Sequence, residues 1–437
     1  MVLATLPSKS PGDFPSCARG RVLLRRAVFA SIVGNALEWY DFFLFGTAAA
    51  LVFGELFFPI GGDASIHTLA SFGGYAVGFL ARPLGGLVFG HIGDRRGRKT
   101  ALVWTLTIMG AATFSMGLLP TYRQVGAWSP ILLVALRLLQ GVAAGGEWSG
   151  GVLIITESAP PGRRGFLGAW SQTGVGLGFV LAAMAFGWVG LLPAQDVTSW
   201  GWRIPFLSSA AIFVAGTAIR IGIPESAEFA AAEMRTAVSR TPLTELLRRH
   251  PRELWKAVGA RLAEMGGAHL VTTFSLAYGA FVHAPPRIML LGVVLAMAAD
   301  SAMMPVFGAL SDLIGRKRVY LAGILAMAMF GYPFFLMIGT GSPTVILIAM
   351  LFGGGLCHSA MIGVQPVLFT EMFTTEVRYS GLAVAHEVSS IIVGVAPLIA
   401  TALFIHYRSP FPVAVYLGAL CALSFFSVLT IKRPSET

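Results

Sequence analysis

Long apolar runs separated by short polar stretches dominate the pattern of this chain. A run of about 20 helical residues is enough to cross about 30 Å of hydrocarbon. By that measure we predict spanning helices at residues 27–53, 66–90, 100–119, 129–155, 165–193, 203–222, 256–283, 286–311, 318–338, 343–371, 380–405 and 410–431. The sequence therefore predicts an all-α membrane protein with twelve transmembrane helices.

A charged stretch at residues 223–255 divides the runs into two sets of six. Its alternation of apolar and charged residues is typical of a linker with a short amphipathic helix on the membrane surface. The predicted domains are thus a first six-helix half at 27–222 and a second at 256–431. Residues 1–26 and 432–437 are predicted to be polar tails.

Two sequence patterns occur once in each half. The decapeptide GHIGDRRGRK at 90–99 recurs at 308–317 as G-x-x-x-D-x-x-G-R-K, at an offset of 218 residues (308 minus 90). Glu157 and Arg164 match Glu371 and Arg378 at an offset of 214 (371 minus 157). Two repeats at nearly one offset indicate that the halves arose by duplication.

The composition agrees with a bilayer environment. Hydrophobic residues make up 55% of the chain, charged residues 12%, and the mean hydropathy is +0.74. A soluble domain carries about 25% charged residues. The three cysteines lie far apart, without the spacing of a metal site or a disulfide framework, so we expect no metal site. No cofactor is expected either.

The basic residues predict the orientation. Lys and Arg near spans are retained on the cytoplasmic side. If the N-terminus is cytoplasmic, 24 of the 31 basic residues fall in cytoplasmic segments, and the C-terminus is cytoplasmic too. The net charge of +10 then reflects topology, and a nucleic-acid partner is not expected because the basic residues are scattered over many loops.

The repeated decapeptide and the Glu–Arg pair suggest a cytoplasmic latch that joins the halves in one state and releases them in another. The alternative for the basic residues is a topology anchor, and for the two glutamates a substrate contact. The predicted latch residues are Gly90, Asp94, Arg95, Gly97, Arg98, Lys99, Glu157, Arg164, Asp312, Arg316, Lys317, Glu371 and Arg378.

These features resemble the major facilitator superfamily. GNALEWYDF at 34–42, ARPLGG at 81–86, RLLQGVAAGGEW at 137–148 and WRIPF at 202–206 resemble, more narrowly, its metabolite:proton symporter family. That family contains uptake systems for proline and betaine, 2-oxoglutarate, citrate and shikimate. The resemblance implies a proton-driven importer of the inner membrane, with substrate held near mid-membrane between the halves during alternating access.

Ionisable groups inside spans are costly unless paired or hydrated, so they are candidates for proton coupling. Glu38 and Asp41 are three residues apart on one helix, and the estimated depth of Asp41 matches that of Arg137. We predict that Asp41 or Glu38 takes the proton while Arg137 holds the competing charge; the alternative is a static ion pair. Glu147 is either a second proton carrier, an inner gate or an interhelical hydrogen-bonding group.

A second set of polar residues within spans is predicted to bind substrate. The guanidinium of Arg261 would suit a carboxylate, although snorkelling to the membrane surface competes with this role. His269, Asp300, His358 and Glu387 add unusual polarity to the second half. The predicted substrate-binding residues are Tyr40, Gln140, Gln172, Arg261, Glu264 and His386.

The predicted function is import of a small carboxylate or zwitterion with protons, by a monomer in a lipid bilayer, driven by the proton gradient. A drug/proton antiporter is the alternative, but it usually carries G-P-x-x-G-G in the fifth span, where GVGLG stands at 174–178. A non-transporting sensor is expected to have a sizeable extra soluble domain. An enzyme is not expected, because the sequence shows no Ser/His/Asp arrangement of a catalytic triad, no metal-ligand spacing and no phosphate-binding loop.

Overall fold

The computed structural model describes residues 18–59, 64–222, 225 and 242–431. Its regular elements are all helical, and there is no strand among the residues described. The predicted tails lie outside these residues up to residue 17 and from residue 432, as does most of the predicted linker.

Six helical segments form the first half. We label them α1 (Ala18–Ala48), α2 (Ala64–Arg96), α3 (Arg98–Leu118), α4 (Trp128–Ser158), α5 (Arg164–Val189) and α6 (Val197–Ile221). The α1 helix continues through a π-helical turn, Ala49–Phe53, into Gly54–Phe57. Turns break α5 into Arg164–Trp170 and Gly174–Val189.

The second half begins after a linker helix, Pro242–Arg249. We label its segments α7 (Pro251–His269), α8 (Pro286–Ile314), α9 (Arg316–Gly339), α10 (Pro343–Thr370), α11 (Arg378–Tyr407) and α12 (Phe411–Leu429). The α7 helix continues as Leu270–Phe274 and Ser275–Phe281, the first of these π-helical. A second π-helical stretch, Leu351–His358, lies within α10.

Each predicted apolar run falls on one of these segments, and the all-α fold class is confirmed. In the described residues, nine segments are long and apolar enough to cross a membrane: α3 to α6 and α8 to α12. Three helices begin at least five residues earlier than their apolar runs: α1 at Ala18, α6 at Val197 and α7 at Pro251. Proline suits the first turn of a helix, because that position needs no N–H donor.

Glycines bring α2 and α4 into backbone contact. A Cβ on Gly85 would lie 1.9 Å from the carbonyl oxygen of Val142, and one on Gly145 would lie 2.0 Å from that of Arg82. Small residues at helix interfaces allow such close approach in membranes. This contact places the arginine of α2 next to the polar residues of α4.

The two halves meet through α2 against α11 and α5 against α8. Gly165 and Gly308 pack on each other, since a Cβ on either would lie within 2.5 Å of the other's carbonyl oxygen. The hydroxyls of Thr156 and Thr370 are 3.2 Å apart. Because these threonines differ by the repeat offset of 214 residues (370 minus 156), equivalent positions meet here, on the pseudo-two-fold axis.

We expect Gly145→Ala to lower the apparent melting temperature of the detergent-solubilised protein, followed by tryptophan fluorescence. The added methyl forces α4 away from α2, and overpacking of this kind costs about 1–3 kcal/mol. Gly187→Ala in α5 is the matched control, because nothing lies within 4 Å of its Cβ position. Equal melting temperatures for the two variants would contradict the close α2–α4 contact.

Candidate functional site

A buried cluster links three helices of the first half. Asp41 of α1 accepts a hydrogen bond of 2.6 Å from the Thr113 hydroxyl of α3 and another from the Gln140 side-chain amide of α4. Arg137, one turn before Gln140, donates to the oxygen of the same amide. Gln140 therefore bridges the carboxylate and the guanidinium that the sequence placed at one depth. We call these four residues the Asp41 cluster.

A second cluster joins the two halves. Arg82 of α2 forms an ion pair with Glu38 of α1, and its Nε lies 3.7 Å from Glu387 Oε2 of α11. His386 Nδ1 lies 2.9 Å from Glu387 Oε1. One arginine thus lies between carboxylates that belong to opposite halves. We call Glu38, Arg82, His386 and Glu387 the interface cluster.

Trp148 of α4 lies between two residues at equivalent repeat positions. Its indole N–H donates to Gln172 Oε1 at 3.0 Å, and its ring stacks on the His386 imidazole with 4.3 Å between centroids. Gln172 and His386 are separated by the repeat offset of 214 (386 minus 172). The two halves therefore present different polar side chains to one central aromatic ring.

A pocket brings three residues of the Asp41 cluster and two of the interface cluster to one surface. Its lining residues are Glu38, Asp41, Phe42, Gly78, Phe79, Arg82, Met109, Arg137, Gln140, Gly141 and Ala144. A neighbouring pocket also contains Glu38, together with Glu147, Trp148, Gln172 and Arg220. Acidic, basic and amide groups on a partly apolar wall are the features of a small-molecule site.

Glu147 forms a buried ion pair with Arg220 of α6, and its Oε2 accepts 2.6 Å from the Thr105 hydroxyl of α3. Gly34 makes room for this pair, because a Cβ there would lie 1.5 Å from Arg220 Nη2. This interhelical bonding is one of the three roles considered for Glu147. The pair also leaves the charge of Glu147 compensated in this conformation.

The second half holds a cluster of its own. Arg261 Nε of α7 lies 3.4 Å from Glu264 Oε2. His358 of α10 lies between Glu264, at 3.2 Å, and Asp300 of α8, at 3.0 Å. Arg261 is buried rather than snorkelling, since its Nη1 donates 2.6 Å to the His386 carbonyl of α11. We call Arg261, Glu264, Asp300 and His358 the second-half cluster.

The aspartates of the two decapeptides each bind the start of a helix in the other half. Asp94 accepts from the backbone N–H groups of Tyr379 and Ser380 in α11, at 3.0 and 2.7 Å. Asp312 accepts from those of Gly165 and Phe166 in α5, both at 2.9 Å. A carboxylate at a helix N-terminus satisfies free N–H groups and meets the positive end of the dipole.

Arginines extend each aspartate contact into a network. Arg98 Nη1 lies 3.1 Å from Asp94, and Arg98 Nη2 lies 3.6 Å from Glu157 and 2.9 Å from the Thr375 carbonyl. Arg378 of α11 binds Glu157 at 3.0 Å. In the second copy, Arg316 bonds to Asp312 at 2.9 Å and Glu371 at 3.2 Å. The two halves are therefore joined twice on this side of the molecule.

The lysines of the decapeptides act within their own halves. Lys99 Nζ donates to the Ile221 carbonyl at the end of α6, and Lys317 Nζ to the Leu429 carbonyl at the end of α12. A cation there faces the negative end of a helix dipole. Glu225 of the predicted linker accepts from the Arg98 and Lys99 backbone N–H groups at 3.0 and 3.1 Å.

Two structural features explain why glycine occupies its positions in the decapeptide. Gly97 and Gly315 occupy equivalent positions with φ of 102° and 104°, where residues with a Cβ are strained. Gly90 lets α11 approach, because its Cβ position is 3.0 Å from the Ser380 Cα. Arg95 is exposed at the end of α2, and Arg164 Nε bonds at 3.4 Å to the Ala159 carbonyl.

Most predicted coupling and substrate-binding residues lie in the three named clusters. Glu147 and Gln172 lie outside them, bonded to Arg220 and Trp148, and Tyr40 lies elsewhere. It is buried among aromatic side chains of the first half, and its hydroxyl donates to the Pro205 carbonyl at 3.0 Å. The sequence argument assigned no site role to several residues that the structure places in the clusters. These are Arg82, Thr113, Asp300, His358 and Glu387. Thr105, Arg220 and Gln365 also had no predicted role, and they bond to the predicted residues Glu147 and Glu264. For Arg82 a signal existed, since it is an arginine within an apolar run.

Comparisons with known proteins agree with this architecture. Residues 27–259 match the family described as Sugar (and other) transporter, and residues 258–437 match the Major Facilitator Superfamily. The chain belongs to the major facilitator superfamily. It is a multi-pass membrane transporter and not an enzyme, as predicted.

Three curated relatives are similar over nearly all of this transporter. The shikimate transporter of Escherichia coli (strain K12) is 40% identical, over 93% of this chain and 94% of its own. The inner membrane metabolite transport protein YhjE of the same strain is 35% identical, over 95% and 94%. The proline/betaine transporter of Salmonella typhimurium is 31% identical, over 94% and 84%. The predicted family is confirmed, and the drug-antiporter alternative is not favoured.

Solved structures share the fold. The proton:xylose symporter XylE bound to 6-bromo-6-deoxy-D-glucose superimposes with a TM-score of 0.74 over 95% of this chain and 97% of its own, at 16% identity. An inward open conformation of XylE from E. coli gives 0.60 over 93% and 95%, at 17% identity. In this transporter the halves are in contact on the decapeptide side, so that side is closed.

We expect cysteines at Thr156 and Thr370 to form a disulfide readily in a variant that lacks the native cysteines. Their hydroxyls are 3.2 Å apart, which suits disulfide geometry after a small adjustment. Adding Asp94→Asn and Asp312→Asn should slow formation several-fold, because each negative charge lost from a helix N-terminus is worth about 0.3–1 kcal/mol. Non-reducing gel electrophoresis after timed oxidation measures the rate.

Arg95→Gln is the control for that experiment, because this arginine belongs to the same decapeptide but is exposed. It should leave the rate of disulfide formation unchanged. An unchanged rate in the Asp94→Asn and Asp312→Asn variant would show that the two caps do not hold this side closed.

Proposed function

We propose that this transporter imports a small carboxylate together with protons, with shikimate as the first candidate substrate. The 40% identity to a shikimate transporter over nearly the whole of both chains supports the substrate class. A zwitterion such as proline or betaine is the second candidate, supported by the relative that is 31% identical. The proton gradient drives uptake, and no cofactor takes part.

The observation that carries this proposal is the shared pocket of Asp41 and two arginines. A carboxylate can gain and lose a proton, whereas a guanidinium keeps its charge. Arg137 and Arg82 line the same pocket as Asp41, so a fixed positive charge faces a group that can be neutralised. Protonation of Asp41 would leave Arg137 with an excess charge that an anionic substrate can balance.

Arg82 is the best placed group for the carboxylate of the substrate. Its guanidinium already lies between two carboxylates, those of Glu38 and Glu387, so its surroundings suit this chemistry. A substrate carboxylate would replace one of them. Arg261, the arginine favoured from the sequence, is less available, because its Nη1 has oxygen acceptors from His386, Ser389 and Ser390.

Breaking the Arg82–Glu387 contact would also connect substrate binding with movement of the two halves. Glu387 belongs to α11, whose first turn is bound by Asp94 of the other half. Replacement of Glu387 by substrate weakens one contact between the halves near the pocket. We place the decapeptide side at the cytoplasm of an inner membrane, because most basic residues lie there.

A monomer surrounded by lipid is sufficient for this transport cycle.

We expect Asp41→Asn to lower proton-driven accumulation of shikimate in proteoliposomes by about tenfold per pH unit of gradient, because one coupled proton is lost. Counterflow exchange at equal pH should survive, since exchange needs no net proton movement. Asp196→Asn, outside the pocket, is the matched control. Full accumulation by Asp41→Asn would remove Asp41 from the coupling mechanism.

Arg82→Lys should weaken shikimate binding by about tenfold to a hundredfold, since a hydrogen bond to a charged group is worth about 1.5–3 kcal/mol. Lysine keeps the charge but loses the paired geometry of the guanidinium. Calorimetric titration in detergent measures the dissociation constant. The control is Arg123→Lys on the surface. Wild-type affinity in Arg82→Lys, in a folded protein, would show that the substrate binds elsewhere.

A panel assay separates the substrate candidates. Wild-type proteoliposomes with an inward proton gradient should accumulate shikimate in preference to proline, betaine, citrate and 2-oxoglutarate. Accumulation of proline or betaine alone would select the second candidate. Efflux of a preloaded hydrophobic cation as protons enter, with no uptake of any metabolite, would overturn the symport proposal.

A further inference from the structure

The second-half cluster contains a histidine whose two ring nitrogens both face carboxylates. His358 is buried, with Nδ1 3.0 Å from Asp300 Oδ2 and Nε2 3.2 Å from Glu264 Oε1. A neutral imidazole has a single N–H, so one of the two contacts would set a lone pair against a carboxylate oxygen. One additional proton, on the ring or on a carboxylate, turns both contacts into hydrogen bonds.

The neighbours of Glu264 keep this carboxylate charged. Its Oε2 accepts a hydrogen bond of 3.0 Å from the side-chain amide of Gln365 and lies 3.4 Å from Arg261 Nε. A carboxylate with a cation and an amide donor on one oxygen is stabilised as an anion. The additional proton therefore belongs to His358 and Asp300.

Asp300 has one carboxylate oxygen that can be protonated without losing a hydrogen bond. Its Oδ1 is buried and has no hydrogen-bond partner among the residues that the structure describes. The other titratable groups near His358 come from α7 and α9. They are His269, whose Nε2 is also buried without a described partner, and Tyr320, whose hydroxyl donates to the Ala260 carbonyl. As a neutral imidazole and a neutral phenol, these two groups add no positive charge to the cluster, whose one permanent cation is Arg261.

Charge balance leads to the same conclusion. The cluster holds one arginine and two carboxylates, so without an added proton it carries one uncompensated negative charge. Such a charge is unfavourable in an apolar surrounding unless a proton neutralises it or water reaches it. The cluster should hold its proton while it is enclosed and release it when the surrounding helices open to water.

We propose that His358 and Asp300 form a second proton-binding site of the transport cycle, so that two protons cross with each substrate. This inference rests on the proton symport proposed above. The first site, the Asp41 cluster, lies wholly in α1, α3 and α4, whereas this one lies in α7, α8 and α10. Each half of the duplicated chain then carries one coupled proton.

Arg261 connects the second site to the interface between the halves. Its Nη1 donates to the His386 carbonyl at 2.6 Å and to the Ser390 hydroxyl at 2.7 Å, both on α11. The residue after His386 is Glu387, which faces Arg82 of the first half. Loss of the proton makes the cluster more negative and draws Arg261 towards it, which weakens these contacts with α11.

The experiment measures how many protons accompany each shikimate molecule in proteoliposomes that contain the full chain. The membrane potential is held at zero with potassium and valinomycin, and the pH gradient is one unit. At the substrate ratio that stops net flux, two coupled protons give about 100-fold accumulation and one gives about tenfold. The wild type should stop near the 100-fold ratio.

The double variant His358→Gln with Asp300→Asn imitates the neutral, protonated pair and leaves the Arg261–Glu264 ion pair in place. It should stop net flux near the tenfold ratio, as Asp41→Asn should. Combining all three substitutions should abolish accumulation while counterflow exchange persists. His406→Gln is the matched control, because that histidine is exposed near the end of α11.

A wild-type ratio near tenfold would overturn the second site while leaving symport intact, and it needs no variant to fold. A ratio near 100-fold in a double variant that still exchanges shikimate would overturn the assignment to His358 and Asp300. Absence of any proton-driven uptake by the wild type would instead remove the proposed function, and with it this inference.

Discussion

The cost of an unpaired charge in an apolar medium governs this molecule. It explains why Arg82, Arg137, Arg220 and Arg261 each lie beside a carboxylate or a bridging amide. For Arg82 and Arg220 that partner belongs to a different helix. These polar contacts help to fix the helix positions. Apolar packing alone does so weakly, because an apolar side chain can contact lipid instead of another helix. A transporter can then use the same requirement: changing the protonation of one partner changes which helices are held together.

Symmetry is retained at the decapeptide side and lost in the centre. Both aspartates cap a helix of the opposite half in nearly the same geometry. In contrast, Arg82 and Asp300 differ by the decapeptide offset of 218 (300 minus 82) but carry opposite charges. Alternating movement needs two equivalent closing contacts, whereas recognition of an asymmetric substrate needs different groups on its two sides. Duplication followed by divergence of inward side chains satisfies both needs.

The sequence was sufficient for the fold because the bilayer restricts backbones to helices of a set length, and apolar runs report that length directly. It also identified the decapeptide residues, since a repeat marks paired positions. The partners in the clusters could not be predicted. Arg220 was not among the predicted site residues, yet it lies against Glu147, because helix rotation and tilt decide which side chains face each other. The same uncertainty explains Tyr40, which lies between Glu38 and Asp41 in the sequence but whose own ring packs among aromatic residues.

The contact between Thr156 and Thr370 lies where the two repeats coincide in space. A residue on a two-fold axis of a dimer touches its own copy, so it must be complementary to itself. A hydroxyl meets that condition, because it both donates and accepts a hydrogen bond, whereas a carboxylate or an ammonium group would repel its copy. This pair therefore has the self-complementarity that a symmetric contact between two identical six-helix halves would require.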